Sequence, residues 1–465
     1  MDSKGHTVTS RVDTWQTLLR PYAILAIGWT LFELYAYPGL MSPDSFDQLE
    51  EARAHFYTDS HPPTMAALWS IVDRIIPGPF GMLLIQSLAL LSGLYLIMRR
   101  VLSPTPAALS ACVVFLFPPV MAPMIAIWKD CLMAGFLVLG IAWITDARKS
   151  RRALGLFACF VATAMRYNAL AATLPLIVLL FEWQPVRRWY VRYAIAVGAW
   201  LGVTLLALGL NAALTDRKMH FWYSSYALAD ITGTLANVDG TIPDEELRPL
   251  LAPTQITIDR AYHDTLRARY RADTFLKLLE GNPLWRVPIR GTKPAPVEQR
   301  DAIGHAWSEI VSSHVGAYVC YRFQAFHEVL GLPEAFVGHV FRPHWQTRER
   351  LVKMGIPIVT SSFQRTLDEW IHGLGTATAM FRPWIYMLLS ILLLPFARRS
   401  RLVLAVLCSG LVMELSLLAL AITADYRYSH WLVICTCISV VLLVAQRSRD
   451  GMKSRPEPIG SKVAN

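Results

Sequence analysis

Residues 80–98 read FGMLLIQSLALLSGLYLIM and contain no charged side chain. A run of this length and composition can cross the hydrocarbon core of a bilayer as a single helix. The rest of the chain follows the same pattern, because 54% of its 465 residues are hydrophobic, only 17% are charged, and the apolar residues form long runs. This composition excludes an ordinary soluble protein and predicts an all-α, polytopic integral membrane protein.

Ten apolar stretches are predicted to be transmembrane helices. Two of them surround Arg166, and we expect a short helical pair there, because a single span would put two basic clusters on opposite sides of the membrane. The ten stretches cover residues 20–38, 80–98, 104–122, 124–145, 153–166, 169–182, 193–213, 382–397, 402–422 and 431–446.

The net charge of +10 lies in short basic clusters between the apolar runs, for example at 148–152 and 398–401. Such clusters are typical of cytoplasmic loops. We therefore predict a multi-pass protein of the inner (plasma) membrane with both termini in the cytoplasm, and we find no nucleic-acid-binding motif. Six of the seven cysteines lie in apolar runs, so the sequence predicts no disulfide framework.

The predicted spans divide the chain into five parts. A hydrophilic segment at 215–380 is placed outside the membrane, with helical stretches at 259–279 and 300–329. Its role stays open, and five of its residues are predicted to pack in its interior: Trp307, Ile310, Val311, Tyr318 and Phe323. The other parts are a cytoplasmic N-terminus at 1–19, a transmembrane module at 20–214 with an outer loop at 39–79, transmembrane helices at 381–446 and a cytoplasmic tail at 447–465.

The outer loop holds several ionisable side chains directly after the first span. It begins Ser42-Pro43-Asp44-Ser45-Phe46-Asp47-Gln48, in which Ser45-x-x-Gln48 has the form of a capping box and predicts a helix that starts at Phe46. Asp44 would lie just before that helix, where a lone Asp more often caps a helix than takes part in chemistry. Pro62-Pro63 is predicted to open a second, amphipathic helix that lies in the membrane interface.

Three further polar elements are predicted on the same side of the membrane. In Trp128-Lys129-Asp130 the lysine could hold a phosphate, although an interfacial Trp and a snorkelling Lys give an ordinary structural explanation. Arg166-Tyr167-Asn168 places an arginine between two apolar helices, which favours a functional role. Asp425-Tyr426-Arg427-Tyr428 could be an internal ion pair at the outer end of the last helical hairpin.

Together these elements place the acids Asp44 and Asp59 and the imidazole of His61 on one side of the membrane. Three cations are predicted on that side as well: Lys129, Arg166 and Arg427. Ionisable groups gathered beside a lipid phase are typical of chemistry on an anionic, lipid-linked substrate.

At this point the chain resembles the GT-C superfamily, the membrane glycosyltransferases that use polyprenyl-phosphate sugars, including protein O-mannosyltransferases and the lipid A aminoarabinose transferase. The resemblance covers residues 20–215 and 380–446. It consists of the acid after the first span (Asp44), the motif His61-Pro62-Pro63, the paired helices near Arg166 and the Arg427-Tyr428 element.

The resemblance implies a GT-C-like fold and an inverting sugar transfer to a cell-envelope acceptor on the periplasmic face. Asp44 would be the general base, Asp59 and His61 would orient the acceptor or Asp44, and the three cations would bind the donor phosphate. Supporting residues would be Asp47, Gln48, Asp130, Asn168, Asp425 and Tyr428.

Cofactor use stays open at this stage. The mannosyltransferase pattern has Asp-Glu after the first span, whereas this chain has Asp44-Ser45. A divalent cation is a possible partner, with Asp44, Asp47 and Asp59 as oxygen ligands.

Two alternatives to a glycosyltransferase remain. An O-antigen-type polymerase or ligase also combines many spans with a large outer loop, but depends on Arg-rich loops rather than on an acid after the first span. A transporter or flippase would show internal pseudo-symmetry and matching broken helices, and the sequence shows no such pairs.

Overall fold

The structure is a computed structural model that describes residues 9–183, 188–279, 284–285, 293–333, 342–343, 346–358 and 360–453. Residues 1–8 and 454–465 of the two predicted cytoplasmic ends lie outside this description. The regular elements in the described residues are helices, joined by isolated β-bridges, as predicted for an all-α protein.

The helices fall into three groups along the chain. The first group comprises α1 (Thr9–Ala36), α2 (Pro43–Ala54), α3 (Pro63–Ile75), α4 (Phe80–Met98), α5 (Pro104–Leu116), α6 (Pro118–Met121), α7 (Lys129–Ile144), α8 (Lys149–Met165), α9 (Ala169–Leu180) and α10 (Trp189–Leu214). The middle group comprises α11 (Ala227–Ala236), α12 (Asp244–Leu251), α13 (Tyr262–Arg269), α14 (Val297–Ser313), α15 (Val315–Val329), α16 (Arg348–Lys353) and α17 (Ser362–Ala377). The last group comprises α18 (Pro383–Ala397), α19 (Arg401–Leu420) and α20 (His430–Lys453).

Four helical segments among the described residues are long and apolar enough to cross a membrane: Phe80–Met98, Trp189–Leu214, Arg401–Leu420 and Tyr426–Ser448. A fifth span results if the bent pair Pro104–Leu116 and Pro118–Ile125 is counted as one. The chain is therefore an integral membrane protein, and the number of about ten spans stays a prediction.

The predicted span 104–122 is not a straight helix. α5 ends at Leu116, Phe117 is extended, and the next helical piece turns by 65°. Pro118 and Pro119 follow the break, and a proline lacks an amide donor and disfavours a helical residue before it. The next predicted span, 124–145, begins as a helix only at Lys129, since Pro123–Ile125 forms a 3₁₀ turn.

Close packing of α4 against α7 fixes the position of the Lys129 end of α7. A side chain at Gly93 would meet Val138 at 2.8 Å, and one at Gly135 would meet Ala89 at 3.0 Å. Glycine at both places lets the two helix backbones approach each other, and α7 is buried along almost its whole length.

The first outer helix starts three residues earlier than predicted. Its N-cap is Ser42, and the capping box joins Ser42 to Ser45 rather than Ser45 to Gln48. Asp44 therefore lies in the first turn of α2 instead of before the helix, where the exposed backbone amides favour a negative charge. The second predicted helix begins at Pro63, directly after Pro62, as expected.

The hydrophilic segment forms a second hydrophobic core of its own, in which Ile303, Ala306 and Ile310 of α14 are buried. The predicted helix at 300–329 is interrupted at His314, which separates α14 from α15. The predicted packing role of Phe323 is wrong, because its side chain is 58% exposed.

Candidate active site

The centre of the site is an ion-paired group formed by Asp44, Arg427 and Asp425. The Arg427 Nη2 atom lies 3.0 Å from Asp44 Oδ2, and its Nε lies 2.8 Å from Asp425 Oδ2. Asp425 also caps the short helical turn Tyr426–Ser429 by accepting the backbone N–H of Arg427. The guanidinium is thus held between two carboxylates that are almost four hundred residues apart in sequence.

His61 and Lys129 extend this group on the other side of Asp44. The His61 Nε2 atom lies 3.8 Å from Asp44 Oδ1, and Nδ1 lies 2.8 Å from Lys129 Nζ. Both residues lie at the N-terminal end of a helix: His61 is two residues before the start of α3, and Lys129 is the first residue of α7. The structure therefore joins Asp44, His61, Lys129 and Arg427, which come from four separate elements.

The ring of Trp128 packs against the guanidinium of Arg427. Its ring centroid lies 4.7 Å from the guanidinium carbon, and its Nε1 donates a hydrogen bond of 2.8 Å to Ser42 Oγ. Ser45 Oγ donates to the Ile127 carbonyl at 2.7 Å. Trp128 is only 4% exposed, so it packs inside the protein instead of facing lipid headgroups. The capping serines of α2 and the start of α7 are thus tied together.

Arg166 lies in the turn between α8 and α9, as predicted. Its guanidinium pairs with Asp130, and its Nε donates a 2.7 Å hydrogen bond to Asn168 Oδ1. The ring of Tyr428 lies between two guanidinium groups, 4.8 Å from that of Arg166 and 5.4 Å from that of Arg427. Tyr428 therefore connects the Arg166–Asp130 pair to the Arg427 group.

Asn211, inside α10, was missed by the sequence reasoning and braces two of these elements. Its side-chain oxygen accepts hydrogen bonds from Thr64 Oγ1 (2.7 Å) and Thr64 N (3.2 Å), while its Nδ2 donates to the Ala164 carbonyl (3.0 Å). Thr64 follows His61 by three residues and Ala164 precedes Arg166 by two. The sequence indicates this role only through an Asn within an apolar helix, because such a side chain needs hydrogen-bond partners inside the protein.

Asp59 contacts the segment that follows α10. One of its carboxylate oxygens accepts the backbone N–H of Met219, just after the end of α10. The predicted catalytic residues therefore divide into Asp44 with His61 at the centre and Asp59 at the side of the site formed by residues 216–220.

Asp47, a supporting residue of α2, and the residues just before this helix contact the hydrophilic segment. Asp47 Oδ1 accepts a 2.7 Å ion-paired hydrogen bond from Arg350, and Gln346 Oε1 accepts one of 2.8 Å from the backbone N–H of Met41. Gln48 donates to the carbonyl of Asp44 at 3.3 Å. Gln346 and Arg350 of the hydrophilic segment thus hold the start of the helix that carries Asp44.

A second contact from the hydrophilic segment reaches the loop before Arg427. Arg322 donates to the Ala421 carbonyl at 3.2 Å and pairs with Asp230 at 2.5 Å, with both side chains buried. Nearby, the backbone of 273–275 bonds to that of 422–424 through Phe275 N–Ile422 O (3.1 Å) and Ala424 N–Asp273 O (2.8 Å).

Glu51 is a partly buried acid of α2. Burial raises its pKa to about 7, against the hydrogen bonds that Thr58 donates to it and with the added repulsion of Asp47 and Asp59. The hydroxyl of Thr58 lies 2.6 Å from Glu51 Oε1.

The carboxylates considered as metal ligands have different partners. Asp44 pairs with Arg427, Asp47 pairs with Arg350, and Asp59 accepts an amide N–H. Within the described ranges no group of three or more His, Cys, Asp or Glu side chains could hold a metal ion. The arrangement does not fit the proposed divalent cation, and we derive no step through one.

Two solved structures similar to this chain are of ArnT from Cupriavidus metallidurans. The structure bound to undecaprenyl phosphate aligns with a TM-score of 0.35 at 14% identity, over 95% of this chain and 79% of that one. The apo structure gives 0.34 and 14%, over 93% and 78%. No protein-family profile and no curated protein matches the chain.

Proposed function

We propose that this protein is a membrane glycosyltransferase that moves a sugar from a polyprenyl-phosphate-linked donor to a cell-envelope acceptor on the outer face of the membrane. The observation that supports it most is the convergence of Asp44, His61, Lys129 and Arg427 at one end of the apolar helices. A carboxylate beside two cations, next to a lipid phase, suits a reaction in which a hydroxyl or amine loses a proton and a phosphate leaves.

Asp44 is the proposed general base. Its pairing with Arg427 favours the ionised form, in which the carboxylate can accept a proton. The proton of the acceptor O–H or N–H passes to Asp44 as the acceptor atom forms a bond to the anomeric carbon. The bond between that carbon and the phosphate oxygen breaks with inversion, and the lipid phosphate leaves with the electron pair.

Arg427, Lys129 and Arg166 are the proposed phosphate ligands. The planar fork of each arginine suits two phosphate oxygens, whereas Lys129 acts as a point charge. Each of the two arginines is ion-paired in the structure, so a phosphate would exchange places with Asp44 or Asp425 at Arg427 and with Asp130 at Arg166. His61, between Asp44 and Lys129, would orient the carboxylate.

The test is a transfer assay with the purified protein, a panel of radiolabelled polyprenyl-phosphate sugars and a membrane extract. We expect wild-type protein to consume a donor and Asp44→Asn to lower the rate by about 10²–10⁴-fold, which is typical of a lost general base. The control is Glu50→Gln on the same helix, a half-exposed carboxylate that pairs with Arg350, which should leave the rate unchanged. Full activity of Asp44→Asn would remove Asp44 from the mechanism.

The same preparation tests the transport alternative. If no donor is consumed, while a labelled lipid or solute crosses sealed vesicles that contain the protein, the protein is a transporter and the glycosyltransferase proposal fails.

A further inference from the structure

The chain that leaves α10 is paired with the loop that carries Asp59 and His61. Residues 216–217 bond to Tyr57 through Asp216 N–Tyr57 O (2.9 Å) and Arg217 N–Tyr57 O (3.2 Å), and Thr58 and Arg217 form an isolated bridge. The Asp216 carboxylate accepts Tyr57 N at 2.8 Å. The residues that follow Met219 therefore start beside Asp59.

An aromatic cluster follows immediately. His220 turns the chain with a positive φ of 53°, and Trp222–Tyr226 forms a single π-helical turn, a feature often found at functional sites. The Trp222 ring contacts Tyr223 at 4.9 Å and Trp307 at 5.3 Å between centroids. Trp307 is itself fixed by a 2.8 Å hydrogen bond to Asp230. Trp222 thus has a fixed ring, yet it is 38% exposed.

Polar side chains flank the start of this turn: the Asp59 carboxylate accepts the backbone N–H of Met219, and the ring centroids of His220 and Tyr223 lie 6.4 Å apart. Burial raises the pKa of Tyr167 to about 12, and the charge of Asp59 adds to the effect. For His220, burial and the charge of Arg300 lower the pKa, while Asp59 opposes them. Asp59 therefore lies within electrostatic reach of both side chains, and Tyr167 is directly adjacent to Arg166. Asp59, Tyr167 and His220 are all partly accessible.

We propose that Asp59, His220 and Trp222 form a binding site for a carbohydrate, the acceptor of the transfer. A pyranose has an apolar face of C–H groups that packs on an indole ring, while its hydroxyl groups hydrogen-bond to a carboxylate and an imidazole. Ligand sites commonly combine an aromatic wall with a few such polar groups. The identification of the bound carbohydrate as the acceptor rests on the proposed function. The site would then have a phosphate-binding side at Arg427 and Arg166 and a sugar-binding side at Asp59.

The test measures sugar binding without any transfer step. Full-length protein in lipid nanodiscs is examined by saturation-transfer NMR with a panel of methyl glycosides of glucose, galactose, mannose and N-acetylglucosamine. We expect at least one glycoside to bind the wild type, and its affinity to fall about 5-fold or more in Trp222→Ala and in Asp59→Asn. Trp222→Phe should retain most of the binding. Trp189→Ala, which removes a 73% exposed Trp from the other end of α10, should bind as the wild type does.

Three results would overturn the proposal: no binding of any glycoside, equal binding in wild type and Trp222→Ala, or equal loss in Trp189→Ala. Quenching of tryptophan fluorescence by brominated lipid that is weaker in Trp222→Phe than in wild type, with no change on glycoside addition, would identify Trp222 as a membrane anchor instead. Because binding is measured alone, glycoside binding by a protein that consumes no donor would retain this site while refuting the glycosyltransferase proposal.

Discussion

The guanidinium of Arg427 pairs with two carboxylates and lies over an indole ring. A compact ammonium group could not make all of these contacts with the same geometry. Its Nη2 contacts Asp44 and its Nε contacts Asp425, at 3.0 and 2.8 Å. An arginine fork can hold both partners in fixed directions, whereas a lysine ammonium cannot. The orientation of Asp44 therefore depends on the shape of this side chain as well as on its charge.

We predict that Arg427→Lys lowers the transfer rate by about 10–100-fold although the positive charge is kept, because Asp44 and the donor phosphate lose a bidentate partner. The measurement is the initial rate of donor consumption. Arg401→Lys is the control, since Arg401 pairs with Glu182 at 2.8 Å in a 69% exposed position. Equal rates for Arg427→Lys and wild type would show that charge alone suffices.

Glu51 gives a prediction about pH. Its folded-state pKa is about 7 against an ordinary value of 4.5, so the folded protein binds more protons than the unfolded chain between these values. Stability should therefore fall as pH rises from about 4.5 to 7 and then level off. Glu51→Gln should be more stable than wild type by about 1–2 kcal/mol at pH 8, after allowance for partial solvent exposure, and equal to it near pH 4.

The measurement for Glu51 is the thermal unfolding midpoint of both proteins across this pH range. Glu50→Gln is the matched control, because the neighbouring carboxylate is half-exposed. A constant difference between Glu51→Gln and wild type at all pH values would contradict the explanation.

At the scale of elements, Asn211 connects α10 to the start of α3 and to the end of α8. Its replacement by leucine should leave the Ala164 carbonyl and the Thr64 hydroxyl without their partner. We expect Asn211→Leu to destabilise the protein by about 2–3 kcal/mol and to reduce transfer, since His61 and Arg166 lose a common support. Thr64→Val breaks only the hydroxyl bond and should have about half the effect on unfolding. Equal unfolding of Asn211→Leu and wild type would rule out a bracing role.

The helices of the membrane part were predictable because length and apolarity are local properties of the chain. The start of α2 was not, since Ser42-x-x-Ser45 and Ser45-x-x-Gln48 overlap and both resemble a capping box. Contacts from distant residues decide between them: Trp128 donates to the Ser42 hydroxyl, and Ser45 donates to the Ile127 carbonyl. The bend at Phe117, by contrast, has a local cause, because Pro118-Pro119 disfavours a continuous helix.

At the scale of the whole molecule, the hydrophilic segment holds the site from two sides. Gln346 and Arg350 contact the loop before and within α2, and Arg322 contacts the loop before Arg427. These partners are separated by 99 to 305 residues in sequence. Nothing local marks such residues, so the sequence placed the segment outside the membrane but gave it no role at the site.

We predict that Arg322→Gln lowers the transfer rate by about 3–30-fold, because the loop at 421–425 loses a support and Arg427 becomes less well positioned. Arg271→Gln is the control: Arg271 lies in the same segment and pairs with Asp273, but it is 60% exposed and should leave the rate unchanged. The measurement is kcat and KM for the donor, together with the unfolding midpoint. A lower midpoint with unchanged kinetics would show that Arg322 only stabilises the fold.

The pairing of Arg427 with Asp44 and Asp425, and of Arg166 with Asp130, also bears on how quickly a lipid can be captured. The negative charges of three carboxylates balance the positive charges of Arg427, Arg166 and Lys129 over a short distance. The electrostatic field of the site is therefore weak outside it. A lipid arriving in the membrane plane would gain no long-range attraction and would have to separate existing ion pairs. Its association rate should then be slow and nearly independent of ionic strength, unlike that of an open basic site.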